Sequence, residues 1–127
     1  VVPLAVSGAF HSKFMENAGK EFEKFAADLS LNNAAIPVIT NVDAMATTGK
    51  DDFRVKMPKQ IYSSVHWTQT IQKMVNDGVE IFIEIGAGKV LAGLNKKIAP
   101  EAKVFNVFDK SSLDAVIEAL KEEMAVV

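Results

Sequence analysis

Apolar residues recur along this chain at two periods, and the switches between them mark out its elements. Val1 to Val6 reads as an extended apolar strand, with Pro3 near its start, where a missing N–H costs least. Phe14, Ala18, Phe22, Phe25, Ala26 and Leu29 then return at helical spacing, while Lys13, Glu16, Lys20, Glu21 and Lys24 face away. Ser12 is placed to cap this helix, which the pattern carries to about Leu29. Ile36 to Val42 is rich in β-branched residues and predicts a second strand. The polar run from Asp43 to Asp52 predicts a loop, and Asp52 to Ile61 a short helix interrupted at Pro58.

Trp67, Ile71, Met74 and Val75 predict a helix that stops at Asn76-Asp77-Gly78. Val79, Ile81, Ile83 and Ile85 alternate with Glu80, Phe82 and Glu84, the clearest strand pattern in the chain. Gly86 to Lys89 is a tight turn into a helix carrying Val90, Leu91, Leu94 and Ile98. Lys103 to Phe108 predicts another strand, and Ser112 is placed to cap a last helix with Leu113, Val116, Ile117, Leu120 and Met124 on one face. Strands alternating with helices predict an α/β fold: a mostly parallel sheet with helices on both faces.

With 127 residues the chain is long enough for one modest domain, and 49% hydrophobic residues exclude disorder. The net charge of −2 gives no pull toward nucleic acid or an anionic membrane. The absence of cysteine removes disulfides, thiolate nucleophiles and cysteine metal sites. His11 and His66 fit no metal-ligand spacing, so no metal is expected. No stretch reads as a membrane span or a signal peptide, and a cytoplasmic location is compatible with all of this. An opening within an apolar strand suggests the C-terminal part of a longer protein.

His11 is the most informative residue. It lies in Val6-Ser7-Gly8-Ala9-Phe10-His11-Ser12, at a strand-to-helix junction, where α/β proteins tend to build their sites. A helix N-terminus disfavours imidazolium, which leaves a neutral ring able to take a proton. As a general base it needs a nucleophile, and no serine here lies in a Gly-x-Ser-x-Gly elbow. A half-buried structural histidine is the competing reading. Gly86-Ala87-Gly88-Lys89 sits where a phosphate could bind, between a strand and a helix. Leu91 stands where Gly-x-Gly-x-x-Gly needs glycine, so a structural turn competes with a nucleotide- or phosphate-binding module. Lys96-Lys97 is either a solvated helix end or a docking point for an acidic partner. Tyr62 and Trp67 read as packing, and Gln60 by itself as a polar surface residue.

Four segments in order carry a resemblance. They are Pro3-Leu4-Ala5-Val6-Ser7-Gly8-Ala9-Phe10-His11-Ser12, Pro37-Val38-Ile39-Thr40-Asn41-Val42, Gln60-Ile61-Tyr62-Ser63-Ser64-Val65-His66-Trp67 and Glu84-Ile85-Gly86-Ala87-Gly88-Lys89-Val90-Leu91. The chain resembles the C-terminal part of malonyl-CoA:acyl-carrier-protein transacylases and of the related acyltransferase domains of polyketide and fatty-acid synthases. One departure is Ala87, where the family usually has proline between the glycines.

The resemblance implies the C-terminal portion of an α/β-hydrolase-like acyltransferase subdomain. It implies malonyl transfer from coenzyme A to the phosphopantetheine thiol of acyl carrier protein through a seryl intermediate, as in fatty-acid biosynthesis. His11 matches the catalytic base, and Gln60 the residue whose main-chain carbonyl holds the other ring nitrogen. Phe10 matches a position where an aromatic residue goes with malonyl selection. Lys96 and Lys97 fall where the carrier protein is received. No cofactor is implied, since coenzyme A enters as the substrate thioester. The nucleophilic serine, the arginine that pairs with malonyl, the oxyanion-hole glutamine and a small ferredoxin-like insert belong to the missing N-terminal part. The fragment alone is therefore expected to be inactive. An acyltransferase domain excised from a synthase, and a non-catalytic scaffold half, remain as alternatives.

Overall fold

The structure is a computed structural model that describes residues 8–124, so the strand expected over Val1 to Val6 lies outside the described residues. The chain divides into two units, Val1–Thr70 and Ile71–Val127.

In the first unit, a 3-10 turn at Lys13–Met15 leads into α1, Glu16–Ala27. Ser12 does not cap it through its side chain; the Ser12 hydroxyl donates instead to the Ala9 carbonyl at 2.6 Å. The second expected strand shrinks to β1, Val38–Ile39, which pairs antiparallel with β2, Ala46–Thr47. The segment expected to be a loop thus holds a strand. Its turn carries no glycine. Asp43 accepts hydrogen bonds from the Thr40 hydroxyl at 2.7 Å and the Met45 N–H at 3.1 Å, and Ala44 adopts φ 54°.

The helix α2 spans Lys50–Tyr62, starting earlier than expected and running through Pro58 without a break. Asp51 and Asp52 in its first turn favour the helix N-terminus. Pro58 removes the N–H that would bond to Arg54, at a cost of about 3 kcal/mol. Pro58 is nonetheless buried within an unbroken helix. The two helices approach at Gly19, where a Cβ would lie 2.5 Å from the Tyr62 ring and 3.1 Å from the Pro58 carbonyl oxygen. Only glycine admits so close a contact. Arg54 then ties the far end together: its guanidinium donates to the Ala26 and Ala27 carbonyls at 2.6 Å each and to Leu29 at 2.9 Å. These include carbonyls that the end of α1 leaves without helical partners.

The helix α3, Trp67–Asn76, matches its sequence pattern and runs across the unit boundary. It ends in a Schellman motif: Gly78, at φ 91°, donates to Val75, and Val79 donates to Met74. The second unit continues with β3 (Ile81–Ile85), α4 (Val90–Ile98), β4 (Lys103–Val107) and α5 (Lys110–Met124). β3 and β4 pair in parallel, with Ile81 opposite Lys103 and Ile85 opposite Val107. The α/β class therefore holds. Among the described residues the parallel sheet consists of this one pair, and the other pair is antiparallel.

Two details of the second unit depart from the pattern. Phe82 is 8% exposed, whereas Ile83 is 41% and Ile85 83% exposed, so the isoleucine face of β3 is open and the phenylalanine face covered. Asp109, not Ser112, caps α5. Its carboxylate accepts from the Ser112 N–H at 2.7 Å, and the Ser112 hydroxyl accepts from the Asp109 N–H at 2.9 Å, a reciprocal capping box. The Ser112 N–H, with help from its hydroxyl, holds the Asp109 carboxyl below its ordinary range.

Candidate active site

The last turn of α2 presents carbonyls that its own helix cannot use. His11 takes two of them. Its backbone N–H donates to Ile61 at 3.0 Å, and its ring Nδ1 lies 2.9 Å from the Gln60 carbonyl oxygen. His11 adopts φ 60°, the left-handed region, which costs a residue with a Cβ roughly 1–2 kcal/mol. The two bonds to α2 hold it there. His11 precedes the 3-10 turn into α1, as expected of a strand-to-helix junction, but its ring meets the C-terminal end of α2, where the partial charge is negative.

A carbonyl oxygen only accepts hydrogen bonds, so the neutral ring carries its hydrogen on Nδ1. Nε2 is left with a free lone pair, and the side chain is exposed. This is the arrangement a general base needs: one nitrogen oriented, the other available. Among the described residues the oriented nitrogen meets a main-chain carbonyl and no carboxylate.

Asn41, just beyond β1, reaches the same point. Its Nδ2 donates to the Gln60 carbonyl at 3.3 Å and lies 3.5 Å from His11 Nδ1. Its backbone N–H donates to Gln60 Oε1 at 3.4 Å, and its carbonyl accepts from the His66 N–H at 3.1 Å. Asn41 lies within one of the segments that carry the resemblance, which by itself implies no role for it. Nothing in the local pattern marks it, because its partners lie 19 and 30 residues away.

The hairpin that carries Asn41 is pinned to α2 by charge. Lys56 meets Asp43 at 2.9 Å and donates to the Thr47 hydroxyl at 2.7 Å. Burial pushes the Asp43 carboxyl up. Hydrogen bonds from Lys56, Thr40 and the Met45 N–H, with the Lys56 charge, more than reverse this and lower it to about 2.

Phe10 precedes His11 and is 65% exposed. Lys96 and Lys97 belong to the second unit, exposed in the last turn of α4. The glycine turn belongs there too. Its helix N-terminus is already occupied: Glu84 accepts from the Leu91 N–H at 3.3 Å and the Ala92 N–H at 2.9 Å. A carboxylate therefore sits where a phosphate would have to bind, which removes the physical basis of the phosphate-site reading. Among the described residues no cluster of histidine, aspartate and glutamate could hold a metal, and no helix is long and apolar enough to cross a membrane.

No family model matches the chain. It is 41% identical over 122 residues to the malonyl CoA-acyl carrier protein transacylase of Bacillus subtilis, covering 96% of this chain and 38% of that protein. It superposes on the malonyl CoA-acyl carrier protein transacylase of Clostridium perfringens with a TM-score of 0.92 at 33% identity, over 98% of this chain and 40% of that one. A third match is a malonyl-transacylase solved in complex with its type II polyketide synthase acyl-carrier protein. There the TM-score is 0.88 at 31% identity, over 93% of this chain and 38% of that one. Over nearly its whole length the chain is homologous to malonyl CoA-acyl carrier protein transacylases and shares their α/β fold. It spans about two fifths of their length.

Proposed function

We propose that this chain is the C-terminal part of a malonyl-CoA:acyl-carrier-protein transacylase and supplies its catalytic histidine. The contact between His11 Nδ1 and the Gln60 carbonyl is the observation that carries the reading. In the first half-reaction, His11 Nε2 takes the proton of a serine hydroxyl as that oxygen attacks the malonyl thioester carbon. The tetrahedral intermediate collapses, the C–S bond breaks, and the proton passes to the departing coenzyme A sulfur. In the second, Nε2 takes the proton of the phosphopantetheine thiol of acyl carrier protein. The sulfur attacks the seryl ester, and the proton returns to the serine oxygen. The main-chain carbonyls of α2 stabilise the transient imidazolium. The steps are acyl transfers between oxygen and sulfur, so they call for no redox or metal cofactor.

The serine, the arginine for the malonyl carboxylate and the oxyanion-hole glutamine come from the rest of the parent protein. That remainder covers the open isoleucine face of β3. Phe10 crowds the α-carbon of the acyl group and favours malonyl over branched acyl units by about 1–3 kcal/mol. Lys96 and Lys97 receive the acidic carrier protein. The compartment is the cytoplasm, in keeping with a chain that lacks cysteine.

The test is His11→Ala in the full-length parent protein. Malonyl transfer to acyl carrier protein is expected to fall by about 10³-fold or more, with the variant still folded. Undiminished transfer removes His11 from the mechanism. The chain by itself is expected to show no transfer above background.

A further inference from the structure

Two hydrogen-bond donors converge on the Gln60 carbonyl, and only one of them belongs to the imidazole. The oxygen has two lone pairs. His11 Nδ1 takes one at 2.9 Å and Asn41 Nδ2 the other at 3.3 Å, with the two nitrogens 3.5 Å apart. Gln60 sits in the last turn of α2, where no helical N–H reaches its carbonyl oxygen. Asn41 donates to that oxygen from outside the helix. The Asn41 Oδ1 is buried and receives no hydrogen bond from the described residues, which orient the amide at its Nδ2 end. Turning the amide over would set Oδ1 against the carbonyl oxygen. The Asn41 backbone is held in turn by Gln60 Oε1 and the His66 N–H.

We propose that Asn41 is a positioning residue. By filling the second lone pair it keeps the Gln60 carbonyl directed at His11 Nδ1, and so keeps the imidazole in the Nδ1–H tautomer with Nε2 free. The inference rests on the transacylase reading for its effect on rate, but not for its effect on the tautomer. Without Asn41 the second lone pair is open to other donors, the imidazole loses the neighbour beside its Nδ1, and the ring samples both tautomers and other orientations. Ground-state binding of malonyl-CoA is untouched, because Asn41 acts on the base and not on the acyl group.

The experiment uses the full-length parent protein with Asn41→Ala, and with Asn41→Leu, which fills similar space without a donor. Steady-state kinetics with malonyl-CoA and acyl carrier protein are combined with ¹⁵N NMR of histidine-labelled protein, His11→Ala assigning the signals. Both variants are expected to lower kcat about tenfold or more, with KM for malonyl-CoA within about twofold. The His11 nitrogens, a clean Nδ1–H pattern in the wild type, are expected to become a mixture of tautomers. Asn41→Leu with full kcat and an unchanged tautomer pattern overturns the proposal and makes Asn41 a packing residue. A wild type already showing Nε2–H on His11 overturns it as well. A wild type that transfers no malonyl overturns the transacylase reading instead, and the tautomer shift between wild type and variant still decides the role of Asn41. If Asn41→Ala does not fold, Asn41→Leu carries the same readouts.

Discussion

Up to Thr70, polar groups turn inward: Thr40, Thr47 and Thr70 are buried, and the Arg54 guanidinium and the Lys56 ammonium reach partners on neighbouring elements. Both units expose apolar side chains, Phe14 and Ile36 in the first among them. From Ile71 onward, however, the exposure includes one face of a sheet strand: Ile83 and Ile85 on β3 are open, while ion pairs such as Lys110–Asp114 and Lys121–Glu118 lie on the surface of α5. A network of inward polar groups restricts each partner to few geometries, which suits the region that must hold an imidazole in one orientation. An open apolar strand face suits a region that another part of the same protein covers. Under the proposed function, the two halves differ in what they call for: the first a substrate and a nucleophile, the second a neighbour over the open face of β3.

The largest expected effect attacks the second half. Ile85→Asp in the full-length parent places a carboxylate on the face that we assign to the remainder of the protein. Urea unfolding is expected to show a loss of about 3 kcal/mol, combining lost apolar burial with an unpaired buried charge. If the face is open to water in the parent, the change stays within about 0.5 kcal/mol, and the contrast between the halves collapses.

The matching attack on the first half is Arg54→Met. It keeps much of the stem and removes three hydrogen bonds to the end of α1. A loss of about 2 kcal/mol is expected by the same measurement, since a charged donor leaves carbonyls unpaired. A loss near zero would mean that water replaces the guanidinium freely, and that the polar lacing of this half contributes little.

Legibility in the sequence follows the same division. α3 and α5 were readable because each buries one stripe, which leaves a 3.6-residue period. β1 is legible in the β-branched run of Ile36 to Val42, though shorter than that run, whereas β2 is not, because a two-residue strand is too short to show a period and the turn before it uses Asp43 and Ala44 in place of the usual glycine. Pro58 signals a break, yet α2 runs through it unbroken. The alternation marks β3 as a strand, but with Phe82 on the face opposite the isoleucines it does not say which side is covered. His11 stood out by residue type, but its link to Gln60 spans 49 residues, and only the resemblance to a family joined them. Asn41 had neither an unusual residue type nor a period to mark it.

A smaller effect tests whether charge helps to hold the Asn41 hairpin. The Asp43 carboxyl is lowered to about 2 from 3.8. A depressed carboxyl stabilises the folded state above its unfolded pKa, and that contribution is lost as pH falls through the folded value. The loss is therefore expected between about pH 4 and pH 2. Unscreened, it would approach 2.5 kcal/mol; at 37% side-chain exposure solvent reduces it to about 1 kcal/mol. Urea unfolding of wild type and Asp43→Asn at both ends of that window measures the difference. Parallel pH profiles for the two proteins would show that the Lys56–Asp43 pair is not what stabilises the hairpin.

The smallest expected effect on stability comes with a selective effect on binding. Lys96→Ala with Lys97→Ala removes two exposed charges from the last turn of α4, and unfolding is expected to shift by less than about 1 kcal/mol, the scale of the lost helix-end interactions. If these lysines receive the carrier protein, its KM rises several-fold at low salt, and the difference from wild type shrinks as ionic strength increases. The KM for malonyl-CoA stays put, because a rim charge acts on encounter with the carrier and not on the acyl site. A KM for the carrier protein that is unchanged at low salt would leave α4 as a solvated helix end. The second half would then contribute packing to the enzyme and no recognition.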